Sequence, residues 1–384
     1  MRPRTDAPPP AAERARAGAP LAVCYGTRPQ VIKASMLLEA LGERWELLAV
    51  DTGQHYDYEL NALLYEQLGV RRPNLCLEVG SGDHAAQTGA ILSRAAEALA
   101  AYRPWGVVVI GDTNSTLGCA LAAAKMRIPV VHVEAGLRAA DFLMAEEINR
   151  RLVDAISAVL CAPSAAAEAR LRLEHVPGTV AITGDIARDV LLRNVPRVEP
   201  IGHAPHWPLG RAEPFIFSTL HRAELTDHCE RIAGVAAALG TLDMPVILAA
   251  HPRTRAALER HALIGRLPKN VYLLPPFGYL EALACIRDAA AVVTDSGGVQ
   301  REAYWLGTPC VTVRDETEWE ETVQLGANVL VSPARAAEEL AAVVRGHAAH
   351  AGAGWHRDAY GAGHAARLVR EAIERWSAGE ATPA

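Results

Sequence analysis

The chain has 384 residues, half of them hydrophobic and about a fifth charged, and carries a net charge of −6 with both signs dispersed. This is a globular balance, with length enough for two domains. There is no basic block to suggest a nucleic-acid partner, and no apolar run approaches the ~18 residues that a membrane span needs.

The opening segment, MRPRTDAPPPAAERARAGAP, lacks the apolar centre of a signal peptide. It reads as a disordered tail over residues 1–19 of a cytoplasmic protein. Short apolar runs then alternate with longer amphipathic stretches. LAVCYG (21–26) precedes a helix predicted from Pro29 to about Arg44, and ELLAVD (46–51) follows. GVVVIGD (106–112) precedes a helix predicted over Ser115–Met126, and PVVHVE (129–134) and AVLCAPS (158–164) complete the first series. Residues 194–213, rich in Pro and turn formers, read as a linker or long loop. The rhythm then restarts with PFIFSTLHR (214–222), MPVILAAHPR (244–253), NVYLLPP (270–276), AAVVTDSGG (290–298) and PCVTVRD (309–315). Continuous apolar strands separated by helices suit parallel sheets covered on both faces, so two doubly wound α/β domains are expected, at 20–186 and 187–359. A single barrel fits the central interruption less well.

Ligands of open α/β sheets bind at the carboxyl ends of the strands. In the first half those ends read GTRPQ, TGQH, GDTNS and EAGLR; in the second, TLHRAE, AHPR, TDSGG and VRDETE. If the two crests face each other, the cleft gathers acids, arginines, histidines and glycine turns. That set suits a sugar or nucleotide diphosphate. Neither GxGxxG after the first strand nor a P-loop is present. Cys24, Cys119, Cys161, Cys285 and Cys310 lie in apolar runs, as buried free thiols do. With no CxxC or HExxH, neither a metal nor a cofactor is expected. In TDSGGVQREA (294–303), Ser296, Gly297 and Gly298 stand where a helix begins, and free N–H groups there suit a diphosphate. Glu302 is one turn on, on the face of Gly298, where a carboxylate can accept two ribose hydroxyls.

Taken together and in order, GTRPQVIK (26–33), TGQHYD (52–57), GDTNSTL (111–117), HVEAGLR (132–138), EEINR (146–150), HRAE (221–224), HP (251–252), TDSGGVQREAYWLGTP (294–309) and RDETEW (314–319) resemble the non-hydrolysing UDP-N-acetylglucosamine 2-epimerases. The resemblance implies two Rossmann-like domains in the glycosyltransferase-B arrangement, with a C-terminal helix at 360–378 packing back on the first domain. It implies a homodimer and a UDP-sugar substrate. It places the diphosphate on Ser296, Gly297 and Gly298, the ribose on Glu302, and Arg28, Lys33, His221 and Arg314 around the phosphates. Asp112, Glu134 and Glu146 become the catalytic carboxylates with His221 beside them, and Phe277 a uracil contact.

The implied chemistry is elimination and re-addition at C1 and C2 of the sugar, which requires a base, an acid on the opposite face and support for departing UDP. Spacing does not say which carboxylate is which. Taken singly, Asp112 could cap the following helix, and Glu146 and Glu147 could serve a helix dipole. The chain departs from the family pattern at Gln30, where many members have Glu, and at Ala145, where many have Pro. Asp57 and the loop GSGDH (80–84) lack the pattern of members activated by a second UDP-GlcNAc, so such activation is not expected. These departures leave a modified UDP-HexNAc open as the substrate beside UDP-GlcNAc. The alternatives are a hydrolysing 2-epimerase and a UDP-sugar glycosyltransferase.

Overall fold

The computed structural model describes residues 18–54, 69–349 and 354–380, together with Glu13. Nearly all of the expected tail, and His55–Asp57, lie outside the described residues.

The chain divides into two compact units. Unit 1 runs to Val190 and resumes at Tyr360; unit 2 spans Leu191–Ala359. The first sheet comprises β1 (Leu21–Tyr25), β2 (Leu47–Asp51), β3 (Leu75–Cys76), β4 (Gly106–Ile110), β5 (Val130–Val133), β6 (Val159–Ala162) and β7 (Thr179–Ile182), all parallel, in the order β3-β2-β1-β4-β5-β6-β7. Its helices are α1 (Arg28–Gly42), α2 (His84–Tyr102), α3 (Asn114–Lys125), α4 (Ala145–Ile156), α5 (Ala165–Leu173) and α6 (Ile186–Asn194), the last running into unit 2.

Unit 2 repeats the plan. Strands β8 (Ile216–Thr219), β9 (Val246–Ala249), β10 (Val271–Leu274), β11 (Ala291–Thr294), β12 (Cys310–Val313) and β13 (Asn328–Val331) form a parallel sheet ordered β10-β9-β8-β11-β12-β13. Helices α7 (Ala223–Thr226), α8 (Cys229–Gly240), α9 (Pro252–Arg260), α10 (Tyr279–Asp288), α11 (Gly297–Leu306), α12 (Glu320–Gln324) and α13 (Ala336–Ala348) connect them. A last helix, α14 (Ala365–Ala378), belongs to unit 1 and packs on α1 and β6.

The central strands are buried along their whole length except at Thr219, the last residue of β8, as continuous apolar runs on a sheet covered on both faces should be. Three strands that were not among those expected, β3, β7 and β13, are sheet edges; the first two are only partly buried and β13 has two half-buried positions. Residues 194–213 are ordered as part of unit 2: two short 3₁₀ turns lie against α10, with Asp288 accepting from the Ile201 amide and Arg287 donating to the Val198 carbonyl. The five cysteines of the apolar runs are buried and free, and burial pushes the thiols of Cys161 and Cys310 up to about 12.

Where the chain returns to unit 1, Asp189 accepts from the amides of Ala365 and Ala366 and so caps α14. Gly184 lies beside it at φ +82°, and a Cβ there would sit 2.8 Å from the Tyr360 carbonyl oxygen. Gly184→Ala is therefore expected to lose about 2 kcal/mol or more, from left-handed strain plus a backbone clash. Urea unfolding checks this, and a variant as stable as the parent would contradict it.

Candidate active site

In each sheet the strand order reverses beside the first strand, at β1/β4 and at β8/β11. The crevice at the carboxyl ends there is the binding position of open α/β sheets. Each switch point is bridged by one buried side chain.

In unit 1 the bridge is Gln30, on the first turn of α1. Its Oε1 accepts from the Gly26 and Thr27 amides, while its Nε2 donates to the Ile110 carbonyl at 2.6 Å and to Thr113 Oγ1 at 2.9 Å. A carboxylate could not donate these last bonds, which gives the amide at this position a physical role. Gln30 thereby ties the start of α1, which carries Arg28 and Lys33, to the loop carrying Asp112. Lys33 Nζ lies 2.6 Å from Glu134 Oε1, with both side chains largely buried. Glu134 stands at φ +70°, a conformation L-residues rarely adopt, and its Oε2 is close enough to Gly111 that a Cβ there would meet it at 3.2 Å.

Asp112 does not cap α3; Thr113 does, accepting from the Thr116 amide. Asp112 instead receives Arg150 Nη1 at 2.6 Å, while Asn149 holds the Asp112 backbone carbonyl. Of the two acids opening α4, Glu146 is exposed and Glu147 fully buried. Glu147 accepts from the Ala139 amide, Arg150 and Arg151, so it braces the loop before α4 and holds the arginine that meets Asp112. Arg28 opens α1, half-buried. Beyond β2, Gln54 Oε1 accepts from the Ser115 amide and hydroxyl, and the GSGDH loop is tied in through His84 and Gln87 to Asn114.

In unit 2 the bridge is Asp295, which the motif TDSGG displayed but to which sequence reading gave no role. Fully buried, its Oδ2 accepts from the amides of His221 and Arg222 at 2.7 and 2.8 Å, and its Oδ1 lies 2.9 Å from His221 Nδ1. Burial alone would raise its pKa, but the His221 ring and the two amides outweigh burial and hold the carboxyl below the ordinary Asp range. An Asn here could keep the two amide bonds through its oxygen but would set a neutral amide, in place of a charge, against His221 Nδ1. Asp295→Asn should therefore cost about 1–3 kcal/mol at neutral pH. A carboxylate depressed in the folded state stabilises fully above its unfolded pKa, so the deficit should shrink as pH falls through the folded value. A deficit in urea unfolding that grows on acidification would contradict this.

Ser296 caps α11, its hydroxyl accepting from the Val299 amide, and Gly297 and Gly298 follow as the first helical residues. The two glycines differ. A Cβ on Gly297 would press on the Trp319 indole at 3.2 Å, whereas one on Gly298 would meet nothing nearer than Ser296 Oγ at 3.8 Å. The fold thus accounts for Gly297 but not for Gly298. Glu302 lies one turn further along α11, half-exposed. Arg314 is buried and bonded through both terminal nitrogens to Glu318, which with burial offset raises its pKa. Its charge is thereby matched within unit 2. Phe277 follows β10, near Phe217 and His206, with ring centroids 6.2 and 5.9 Å away. Among the described residues no cluster of three or more His, Cys, Asp or Glu could hold a metal ion, and no helix is long and apolar enough to cross a membrane.

A family model described as UDP-N-acetylglucosamine 2-epimerase matches residues 39–374. The UDP-2,3-diacetamido-2,3-dideoxy-D-glucuronate 2-epimerase of Pseudomonas aeruginosa is 42% identical over 319 residues, covering 81% of this chain and 87% of that protein. Among solved structures, the Methanocaldococcus jannaschii UDP-GlcNAc 2-epimerase in complex with UDP-GlcNAc and UDP superposes with a TM-score of 0.84 at 35% identity, covering 92% of this chain and 99% of that one. The Neisseria meningitidis UDP-GlcNAc 2-epimerase bound to UDP-GlcNAc gives 0.82 at 26% identity, with the same coverage. With two Rossmann-like α/β units and a match over most of its length, this chain belongs to the UDP-N-acetylglucosamine 2-epimerase family of isomerases.

Proposed function

We propose that the protein inverts C2 of a UDP-linked 2-acetamido sugar, UDP-GlcNAc or a modified UDP-HexNAc, keeping the nucleotide attached in the product. The observation that carries this reading is the pairing of Glu134 with Lys33 and Asp112 with Arg150 at one switch point, in a chain of this family. Each carboxylate is held by a cation and set beside the other along the Gly111–Asp112 backbone. The C2 proton has no ring carbonyl beside it, so direct enolisation is closed. Instead a carboxylate takes that proton while the C1–O bond breaks and its electron pair leaves with UDP, giving a 2-acetamidoglucal. A second carboxyl group, in its acid form when substrate binds, then gives its proton to C2 on the opposite face and is left ionised, and UDP re-adds at C1. Ser296, Gly297 and Gly298 hold the diphosphate, Glu302 the ribose and Phe277 the uracil. Arg28 and His221 balance the phosphate charge, with Lys33 and Arg314, already paired to Glu134 and Glu318, close by. His221, backed by Asp295, meets the leaving oxygen. Glu146 is the third carboxylate of the set. The enzyme works in the cytoplasm as a homodimer without metal or cofactor.

Incubation with UDP-GlcNAc and with its 2,3-diacetamido-glucuronate counterpart, followed by proton NMR, tests the reading. A UDP-linked manno product from at least one of them is expected; free UDP with free sugar, or no reaction with either, would overturn it. The reaction started from UDP-ManNAc should run without added UDP-GlcNAc, because the GSGDH loop has no arginine and Gln54 already serves Ser115. A lag abolished by traces of UDP-GlcNAc would contradict this.

A further inference from the structure

Beneath the two carboxylates lies a buried charged group that the reaction above does not use. His132, on β5, and Asp154, on α4, are both wholly inaccessible. The ring's Nδ1 lies 2.6 Å from Asp154 Oδ1 and its Nε2 2.8 Å from the Gly111 carbonyl oxygen. Asp154 Oδ2 accepts from the Gly136 amide at 3.1 Å and from Arg138 at 2.8 Å, and Arg138 is in turn bonded to Glu174. Burial opposes ionisation of Asp154, but His132 and Arg138 more than compensate and keep its pKa below the ordinary value.

The geometry points to His132 and Asp154 as a positioning pair that holds both Asp112 and Glu134. Gly111, the residue His132 grips, immediately precedes Asp112. Gly136, the residue Asp154 grips, lies two beyond Glu134, whose left-handed backbone must be held by its surroundings. A carbonyl oxygen only accepts, so Nε2 must donate to Gly111. Nδ1 faces a carboxylate that two other donors, the Gly136 amide and Arg138, already favour in its ionised form. One ring therefore fixes the separation of two loops, and a shift of about 1 Å there is enough to cost ~10²-fold in rate. The inference rests on Asp112 and Glu134 being the reacting carboxylates.

Two substitutions separate the ring's two bonds. His132→Asn can place an amide donor where Nδ1 lies and keep Asp154, but it releases the Gly111 carbonyl. His132→Gln can reach the Nε2 position and keep Gly111. For His132→Asn, kcat should fall by ~10²-fold with KM and UDP affinity unchanged, and His132→Gln should restore most of the loss. The inference is overturned if His132→Asn turns over like the parent. It is also overturned if both variants lose kcat, UDP affinity and thermal stability together, which is what a purely structural pair would produce. Asp112→Asn and Glu134→Gln run alongside. If those two retain turnover, the assignment of the carboxylates has failed; if they lose it while His132→Asn does not, only the positioning pair has.

Discussion

Asp112→Asn and Glu134→Gln should each lower turnover by ~10²–10⁴-fold, the range for general acid–base groups, while UDP affinity changes little. Both substitutions keep shape and remove the ability to take a proton at neutral pH. Asp112→Asn is the cleaner of the two. Asp112 is about a third exposed, and Arg150 retains Glu147 when the Asp112 charge is lost. Glu134→Gln leaves the buried Lys33 ammonium facing a neutral amide, so some loss of stability should accompany the loss of rate. UDP should bind as before because the residues assigned to it are mainly in unit 2. Glu146 is exposed, and Glu146→Gln should cost less than either. Steady-state kinetics with calorimetric UDP titration checks all three, and normal epimerisation by Asp112→Asn and Glu134→Gln together would refute the proposed chemistry.

The second large effect concerns UDP. Gly298→Ala should weaken UDP binding by more than tenfold, or about 1.4 kcal/mol, without destabilising the protein. The fold leaves room for the added methyl, and alanine is the better helix former. A loss of affinity in a protein as stable as the parent can then come only from the ligand side. Glu302→Ala should also exceed tenfold, because hydrogen bonds to a charged acceptor are worth about 1.5–3 kcal/mol. Calorimetry and thermal unfolding on the same samples give both quantities. Unchanged UDP affinity in Gly298→Ala would remove the diphosphate from the start of α11.

Much of this was legible in the chain because parallel strands buried on both faces announce themselves as runs such as GVVVI and AVVT. β3, β7 and β13 were not: all three are sheet edges with short or interrupted apolar runs, whereas the edge strand β10 carries the longer run VYLL. The motif residues could be placed on their loops, but strand order could not be read, and order decides which loops share a switch point. For that reason the bridging roles of Asp295, Gln30 and the His132–Asp154 pair were not read: each acts across a distance that only the sheet closes. Asp112 offered two local readings, cap or catalyst, and the cap went to its neighbour Thr113. Of the two acids that open α4, Glu147 rather than the expected Glu146 is the buried one.

The most direct test of the central claim is NMR of UDP-GlcNAc, or of its 2,3-diacetamido-glucuronate counterpart, with the protein in D₂O. Elimination and re-addition predicts deuterium at C2 of the recovered UDP-sugar, in step with appearance of the manno isomer. Full retention of the C2 proton while product forms, or accumulation of free UDP in place of recovered UDP-sugar, would contradict it.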